Sequence, residues 1–240
     1  MTDGKHYFTP LIAPLALSCS QQDSGATAAM GNGPTAASEI AAPRQPPLVL
    51  AFGDSLYAGY GVPAARSFPA ALQQALAARG LTAEVINAGV SGETTSGGLR
   101  RLGPTLARLK RTPDLVLLGL GANDVFQLFD PAVTRRNLET MIIELKRRGI
   151  PVMLTGITAP QGFQHPYFTR FEVVFADLAR LHDVAFEPSF LAGVSTDRAM
   201  LLPDGIHPNA AGIARMADRV APQVAAMIEQ EGTSVSTLPR

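Results

Sequence analysis

Five short apolar runs, separated by segments of helical periodicity, constrain this chain more than any other feature. Pro47-Leu-Val-Leu-Ala-Phe52 is continuously apolar and closed by Gly53, the pattern of a strand buried on both faces. Glu84-Val-Ile-Asn-Ala88, Asp114-Leu-Val-Leu-Leu-Gly-Leu120, Pro151-Val-Met-Leu-Thr-Gly-Ile157 and Val184-Ala-Phe-Glu187 read as four more strands. Between the first two, Ser67 is an expected N-cap with Pro69 in the first turn, and Leu72 and Leu76 follow at helical spacing until Gly80. Leu99, Leu102, Leu106 and Leu109 form a second helical face, bent by Pro104. Asp130-Pro131 opens a third, with Val133, Leu138, Met141, Ile142 and Leu145 facing inward and Gly149 ending it. Phe171, Val174, Phe175, Leu178 and Leu181 mark a fourth helix. Residues 190–206 read as loop, and Ile213, Met216, Val220, Val224 and Met227 as a final amphipathic stretch interrupted near Pro222.

Strands that alternate with helices imply right-handed crossovers and a parallel sheet covered on both faces. Such sheets carry their sites beyond the carboxyl ends of the strands. Four polar clusters follow strands here: Gly53-Asp54-Ser55, Gly89-Val-Ser-Gly92-Glu-Thr, Gly119-Leu-Gly-Ala-Asn123-Asp124 and, past a loop, Asp204-Gly-Ile-His207-Pro208. The topology gathers all four on one edge.

Together they hold what acyl transfer requires. A serine hydroxyl is a weak nucleophile until a base takes its proton, which a histidine can do near neutral pH. A carboxylate fixes the imidazole tautomer, and the tetrahedral intermediate needs donors aimed at its oxyanion. Ser55, His207 and Asp204 fit the first three roles, while the Ser55 and Gly92 N–H groups and the Asn123 amide fit the last. Each residue alone has a plainer reading: turn serine, turn glycine, loop asparagine, surface histidine. Their joint order on this architecture favours catalysis.

Phe-Gly-Asp-Ser-Leu-Tyr-Ala-Gly-Tyr-Gly, Asn-Ala-Gly-Val-Ser-Gly-Glu-Thr, Leu-Gly-Ala-Asn-Asp and Leu-Pro-Asp-Gly-Ile-His-Pro-Asn resemble the blocks of the GDSL, or SGNH, hydrolases. Within that family the chain is similar to the bacterial arylesterase and multifunctional acyl-CoA thioesterase I (lysophospholipase L1-like) branch. The resemblance covers about residues 47–228. It implies a flavodoxin-like three-layer α/β/α sandwich with a parallel five-stranded sheet. It implies Ser55 as nucleophile, Asp204 and His207 completing a triad, an oxyanion hole from Ser55, Gly92 and Asn123, and no metal or organic cofactor. One segment departs from the pattern. Where related arylesterases carry a basic or glycine-containing loop after Gly-Asn-Asp, this chain has the more aromatic Val125-Phe-Gln-Leu-Phe129, which in the family borders the acyl site.

The expected activity is therefore a serine esterase acting on short- to medium-chain acyl or aryl esters, and on thioesters as a further class. A carbohydrate O-acetylesterase or a lysophospholipase with the same triad is the alternative, although the absence of Trp argues against a sugar groove. A non-catalytic flavodoxin-like binding module is the remote alternative. Against it, there is no phosphate-cradling Gly-rich loop, and no Gly-x-Ser-x-Gly elbow that would point to a different hydrolase fold. Asp54 and Asp124 are candidates to hydrogen-bond the loops holding Ser55 and Asn123. His165 and His182 read as exposed or helix-bound. For Phe163, Tyr167 and Phe168, lining an acyl pocket and packing the next helix fit equally well.

With 240 residues, the chain suits one α/β domain with an appendage. We expect a segment over 1–46 that is signal- or lipoprotein-like and then linker, a hydrolase domain over 47–230 and a tail over 231–240. Phe8 to Cys19 is short and apolar, and the Ser, Ala, Gly and Pro that follow resemble a lipoprotein tether, with Cys19 as a candidate lipid anchor. Export to the periplasm or to a membrane-anchored state is the expectation, a cytoplasmic location the alternative. Twenty basic and twenty acidic residues balance, which excludes the basic excess that nucleic acid would demand. A single cysteine precludes an intrachain disulfide, four scattered histidines give no zinc spacing, and a monomer acting on a small-molecule ester is expected.

Overall fold

A computed structural model of the chain describes residues 45–158 and 165–234. The Cys19 segment, Phe163 and residues 235–240 lie outside the described residues. The strands are β1 (Leu48–Gly53), β2 (Glu84–Gly89), β3 (Leu115–Gly119), β4 (Val152–Thr155) and β5 (Ala185–Glu187). The helices are α1 (Ser55–Ala58), α2 (Phe68–Ala77), α3 (Thr95–Ala107), α4 (Ala122–Phe126), α5 (Pro131–Arg147), α6 (Pro166–His182) and α7 (Ala210–Ser234).

All strand pairs are parallel and the sheet order is β2-β1-β3-β4-β5, the flavodoxin-like arrangement. The period-2 alternation of β1 divides the core. Val49 and Ala51 join a cluster with Leu72 and Leu76 of α2 and Ile213, Met216, Val220 and Val224 of α7. Leu50 and Phe52 point the other way, into Leu102 of α3, Leu138 and Ile142 of α5 and Phe175 of α6. β3 splits in the same manner, Leu115 and Leu117 against Val116 and Leu118. The result is three layers, each buried aliphatic chain contributing about 1.5–3 kcal/mol. β2, at the sheet edge, is only partly covered, which explains why its run was the least apolar of the five.

Three readings change. The final helix is not interrupted at Pro222; it continues unbroken to Ser234. Proline removes the N–H that would bond the carbonyl four residues earlier. That carbonyl belongs to Asp218, and Arg79 Nη2 donates to it at 3.0 Å, so the freed acceptor stays satisfied. Ser67 occupies the N-cap of α2, yet its hydroxyl turns back and donates to the Ala64 carbonyl at 2.7 Å, closing the preceding 3₁₀ turn over Ala64–Arg66. Residues 190–206 are also more ordered than a plain loop, with a 3₁₀ turn at Arg198–Met200 and an antiparallel bridge between Leu201 and Pro208.

Among the described residues no helix is long and apolar enough to cross a membrane, and no group of three or more His, Cys, Asp or Glu is placed to hold a metal ion.

Candidate active site

The sheet order reverses between β1 and β3, and the crevice at that switch point is where a parallel sheet offers its site. β1 delivers Ser55 there and β3 delivers Asn123. Both emerge on short helices, α1 and α4, of four and five residues. Neither is long enough to leave a periodic trace in sequence.

Ser55 is the first residue of α1, capped by Asp54. The Asp54 carboxylate accepts Leu56 N–H at 3.0 Å, and its carbonyl accepts Ala58 N–H at 2.9 Å. Beneath the turn, the ring of Tyr57 packs directly on the two strand ends. A Cβ at Gly53 would stand 2.4 Å from that ring, and one at Gly119 2.1 Å, so both strands must end in glycine for the tyrosine to seat. Tyr57 also hydrogen-bonds Thr155 Oγ1 at 3.0 Å, and burial drives its hydroxyl pKa far above the ordinary value. Asp54 is 2% exposed, and that burial pushes its carboxyl up to about 7, with the Asp124 and Glu93 charges adding to the rise.

Asp204 and His207 arrive on the loop closed by the Leu201–Pro208 bridge. Leu202 N–H donates to the His207 carbonyl at 2.8 Å. Asp204 Oδ1 accepts the N–H groups of Ile206 and His207 at 2.9 and 3.0 Å. These two bonds, then the imidazole, hold the Asp204 carboxyl down at about 2. His207 Nδ1 lies 2.8 Å from Asp204 Oδ2, and its Nε2 lies 3.0 Å from Ser55 Oγ. An ionised carboxylate only accepts, so Nδ1 is the donor; in the neutral ring Nε2 is then left to accept the serine proton. The ring of Tyr60 lies against the imidazole, centroids 4.3 Å apart.

Gly92 sits in the turn after β2, closed by Glu93 N–H donating to the Val90 carbonyl at 3.1 Å. Its φ of +79° is a conformation ordinary side chains avoid. The Asn123 amide donates to the Glu93 carbonyl at 2.9 Å, tying the two turns together. All five residues expected at the site thus gather on one edge.

Asp124 faces away from it. Wholly buried, its carboxylate accepts the Thr95 N–H at 2.8 Å, the Thr134 hydroxyl at 2.9 Å and the Thr95 hydroxyl, locking α4 to the starts of α3 and α5. His165 caps α6, accepting Tyr167 N–H at 3.2 Å, and His182 near the other end of that helix meets Glu139 at 3.1 Å. Tyr167 packs edge-on against Phe168 and donates its hydroxyl to the Phe129 carbonyl at 2.8 Å; it braces the segment after α4 rather than lining the cleft. In Val125–Phe129, Val125 is core, while Phe126 and Leu128 project into solvent.

A small crevice of about 30 Å³ opens by α1 and α4 and includes Leu56, Leu120, Ala122, Ile157, Thr158 and Leu191 in its lining. Its lining includes the chain neighbours of two site residues, Leu56 after Ser55 and Ala122 before Asn123. Sequence reasoning gave no role to Tyr60 or Asn209. Asn209 accepts the Ala211 and Gly212 N–H groups at the start of α7 and donates to the Ala199 carbonyl at 2.8 Å, pinning the histidine loop. An Asn after Pro208 and before an amphipathic stretch was the available N-cap clue.

Comparison with known proteins points to one family. The chain is similar to an arylesterase of Vibrio mimicus, 40% identical over 160 residues that span 67% of this chain and 79% of that protein. It is similar to the esterase TesA of Pseudomonas aeruginosa, 37% identical over 72% of this chain and 86% of that one. Among solved structures, AlinE4, an esterase of the SGNH-hydrolase family, superposes with a TM-score of 0.65 at 37% identity, covering 77% of this chain and 98% of AlinE4. The GDSL-like lipase/acylhydrolase family matches residues 51–215, more than half of the sequence, and the chain belongs to that family of ester hydrolases.

Proposed function

We propose that the chain hydrolyses short- to medium-chain acyl and aryl esters by two-step acyl transfer, with Ser55 as nucleophile, His207 as base and Asp204 orienting the imidazole. The observation that carries this is the continuous chain of contacts, Asp204 Oδ2 to His207 at 2.8 Å and His207 Nε2 to Ser55 Oγ at 3.0 Å. Ser55 Oγ attacks the ester carbonyl as its proton passes to Nε2. The oxyanion settles between the N–H groups of Ser55 and Gly92 and the Asn123 amide. Collapse expels the alcohol, which takes the proton from His207. Water, deprotonated by the same imidazole, then releases the acid and restores Ser55.

The aryl-ester preference rests on the likeness to the Vibrio mimicus arylesterase, and the limit on chain length on the small apolar cleft. Initial rates on p-nitrophenyl acetate, butyrate and palmitate test the chain-length limit, and phenyl acetate against ethyl acetate tests the aryl-ester preference. We expect turnover of p-nitrophenyl acetate and butyrate, lost by a factor of at least about 10⁴ in Ser55→Ala at an unchanged melting temperature. Full activity in that variant would remove Ser55 from the mechanism. Faster hydrolysis of palmitate than of butyrate would remove the chain-length limit.

A further inference from the structure

Glu93 follows Gly92 directly and is tied at both ends. Its backbone carbonyl accepts Asn123 Nδ2 at 2.9 Å, and its carboxylate pairs with Arg101 Nε at 2.6 Å. A carbonyl only accepts, so the first contact fixes the Asn123 amide with its nitrogen toward Glu93. That nitrogen carries two hydrogens, and with one committed to Glu93 the other remains for an oxyanion.

Arg101 reaches further than its ion pair. Nη1 donates to the Ala88 carbonyl near the end of β2 at 3.0 Å, and Nη2 reaches the Gly53 carbonyl at the end of β1 at 3.4 Å. The guanidinium carbon lies 4.1 Å from the ring centroid of Phe52. The same Gly53 carbonyl takes the Val90 N–H at 3.0 Å, at the start of the Gly92 turn. α3 leaves room for the pair: a Cβ at Gly97 would fall 2.0 Å from Glu93 Oε1, so the carboxylate rests against the first turn, where the helix dipole favours it. The side chains are 24% and 12% exposed, so neither charge is easily left without the other.

We infer that Arg101, acting through Glu93, is a positioning residue for the oxyanion hole. It holds the Glu93 carbonyl, the Asn123 amide and the Gly92 N–H in one fixed relation to the strand that leads into Ser55. Arg101 itself touches no substrate. The inference rests on the oxyanion-hole roles assigned above. Donors of this kind act only if they are already aimed when charge develops, so loosening them slows the chemical step and leaves ground-state binding intact.

Steady-state kinetics on p-nitrophenyl butyrate with Arg101→Met, Arg101→Lys, Glu93→Gln, Asn123→Ala and the Arg101→Met/Asn123→Ala double variant test it. We expect Arg101→Met to lower kcat about tenfold with KM within about twofold, and Arg101→Lys to recover part of the loss. In the Asn123→Ala background the Arg101→Met factor should shrink to about twofold, because most of what Arg101 holds is gone. Wild-type kcat in Arg101→Met, a change in KM alone, or the same factor in both backgrounds would overturn the inference. Should Arg101→Met fail to fold, Glu93→Gln keeps the shape, removes the charge and must show the same kcat loss. Asn123→Ala separates the two levels: wild-type kcat there sinks the role of Asn123 and the inference with it, whereas a loss there beside an unaffected Arg101→Met sinks the inference alone.

Discussion

Ser55 and Asn123 stand at strand ends over the core, whereas Asp204 and His207 ride on a loop at the surface. Two aspartates measure the contrast. Asp54, one residue before the nucleophile, is buried with no cationic partner among the described residues, and desolvation lifts its carboxyl to about 7. Asp204, beside the base, is solvated and accepts two backbone N–H groups and the imidazole, which lower it to about 2. The nucleophile and the oxyanion donors must keep their places while charge develops, so they are fixed by buried contacts such as Tyr57 on Gly53 and Asp124 on Thr95. The base must trade protons with a leaving alcohol and with water, so it sits where both can reach it.

The largest effect separating the two regions is chemical. Asp204→Asn should cut kcat/KM on p-nitrophenyl butyrate by on the order of 10³–10⁴-fold, because an amide stabilises neither the tautomer nor the imidazolium. Its melting temperature near pH 7 should fall only modestly, because the amide oxygen can keep the two backbone N–H bonds and the charge lost is a solvent-screened one. A variant within tenfold of wild type would break the assignment of the loop as the proton-handling half.

The next difference lies in stability against pH, where the two aspartates act with opposite sign. The carboxyl of Asp204 is depressed, so its stabilising contribution is present above the ordinary carboxylate value of 3.8 and fades as pH falls toward 2. The carboxyl of Asp54 is raised, so between about 4 and 7 the folded chain holds a proton that the unfolded chain releases, and stability declines as pH rises. Replacing Asp54 by Asn should flatten the wild-type decline in melting temperature over that window. Identical slopes in both proteins would show that Asp54 is ionised in the fold.

The smallest effect concerns how the surface loop is held. Asn209→Ala should cost about 1–2 kcal/mol in urea unfolding through the lost α7 cap. A several-fold drop in kcat with unchanged KM would then show that the cap also aims His207.

Much of this molecule was legible because its information is local. Five apolar runs gave five strands within a residue or two, and the Leu138-Met141-Ile142-Leu145 face gave α5. The motif residues of the site were legible too, since each follows a strand or a loop that the topology sends to one edge. α1 and α4 were not, being single turns without periodicity. Nor was the continuity of α7 through Pro222, which depends on Arg79 lying beside a carbonyl 139 residues away.

By itself the sequence determined the alternation of strand and helix, the sheet it implies and the residue types at the active edge, because hydrophobic period and turn chemistry act over a few neighbours. Tertiary structure alone decided which partners those residues meet. Tyr57 finds Thr155 across 98 positions, and Arg101 joins the ends of β1 and β2. Burial then moves Asp54 one way and solvated hydrogen bonds move Asp204 the other. Distance, dielectric and hydrogen-bond geometry between remote segments set these outcomes, and none of them leaves a periodic mark along the chain.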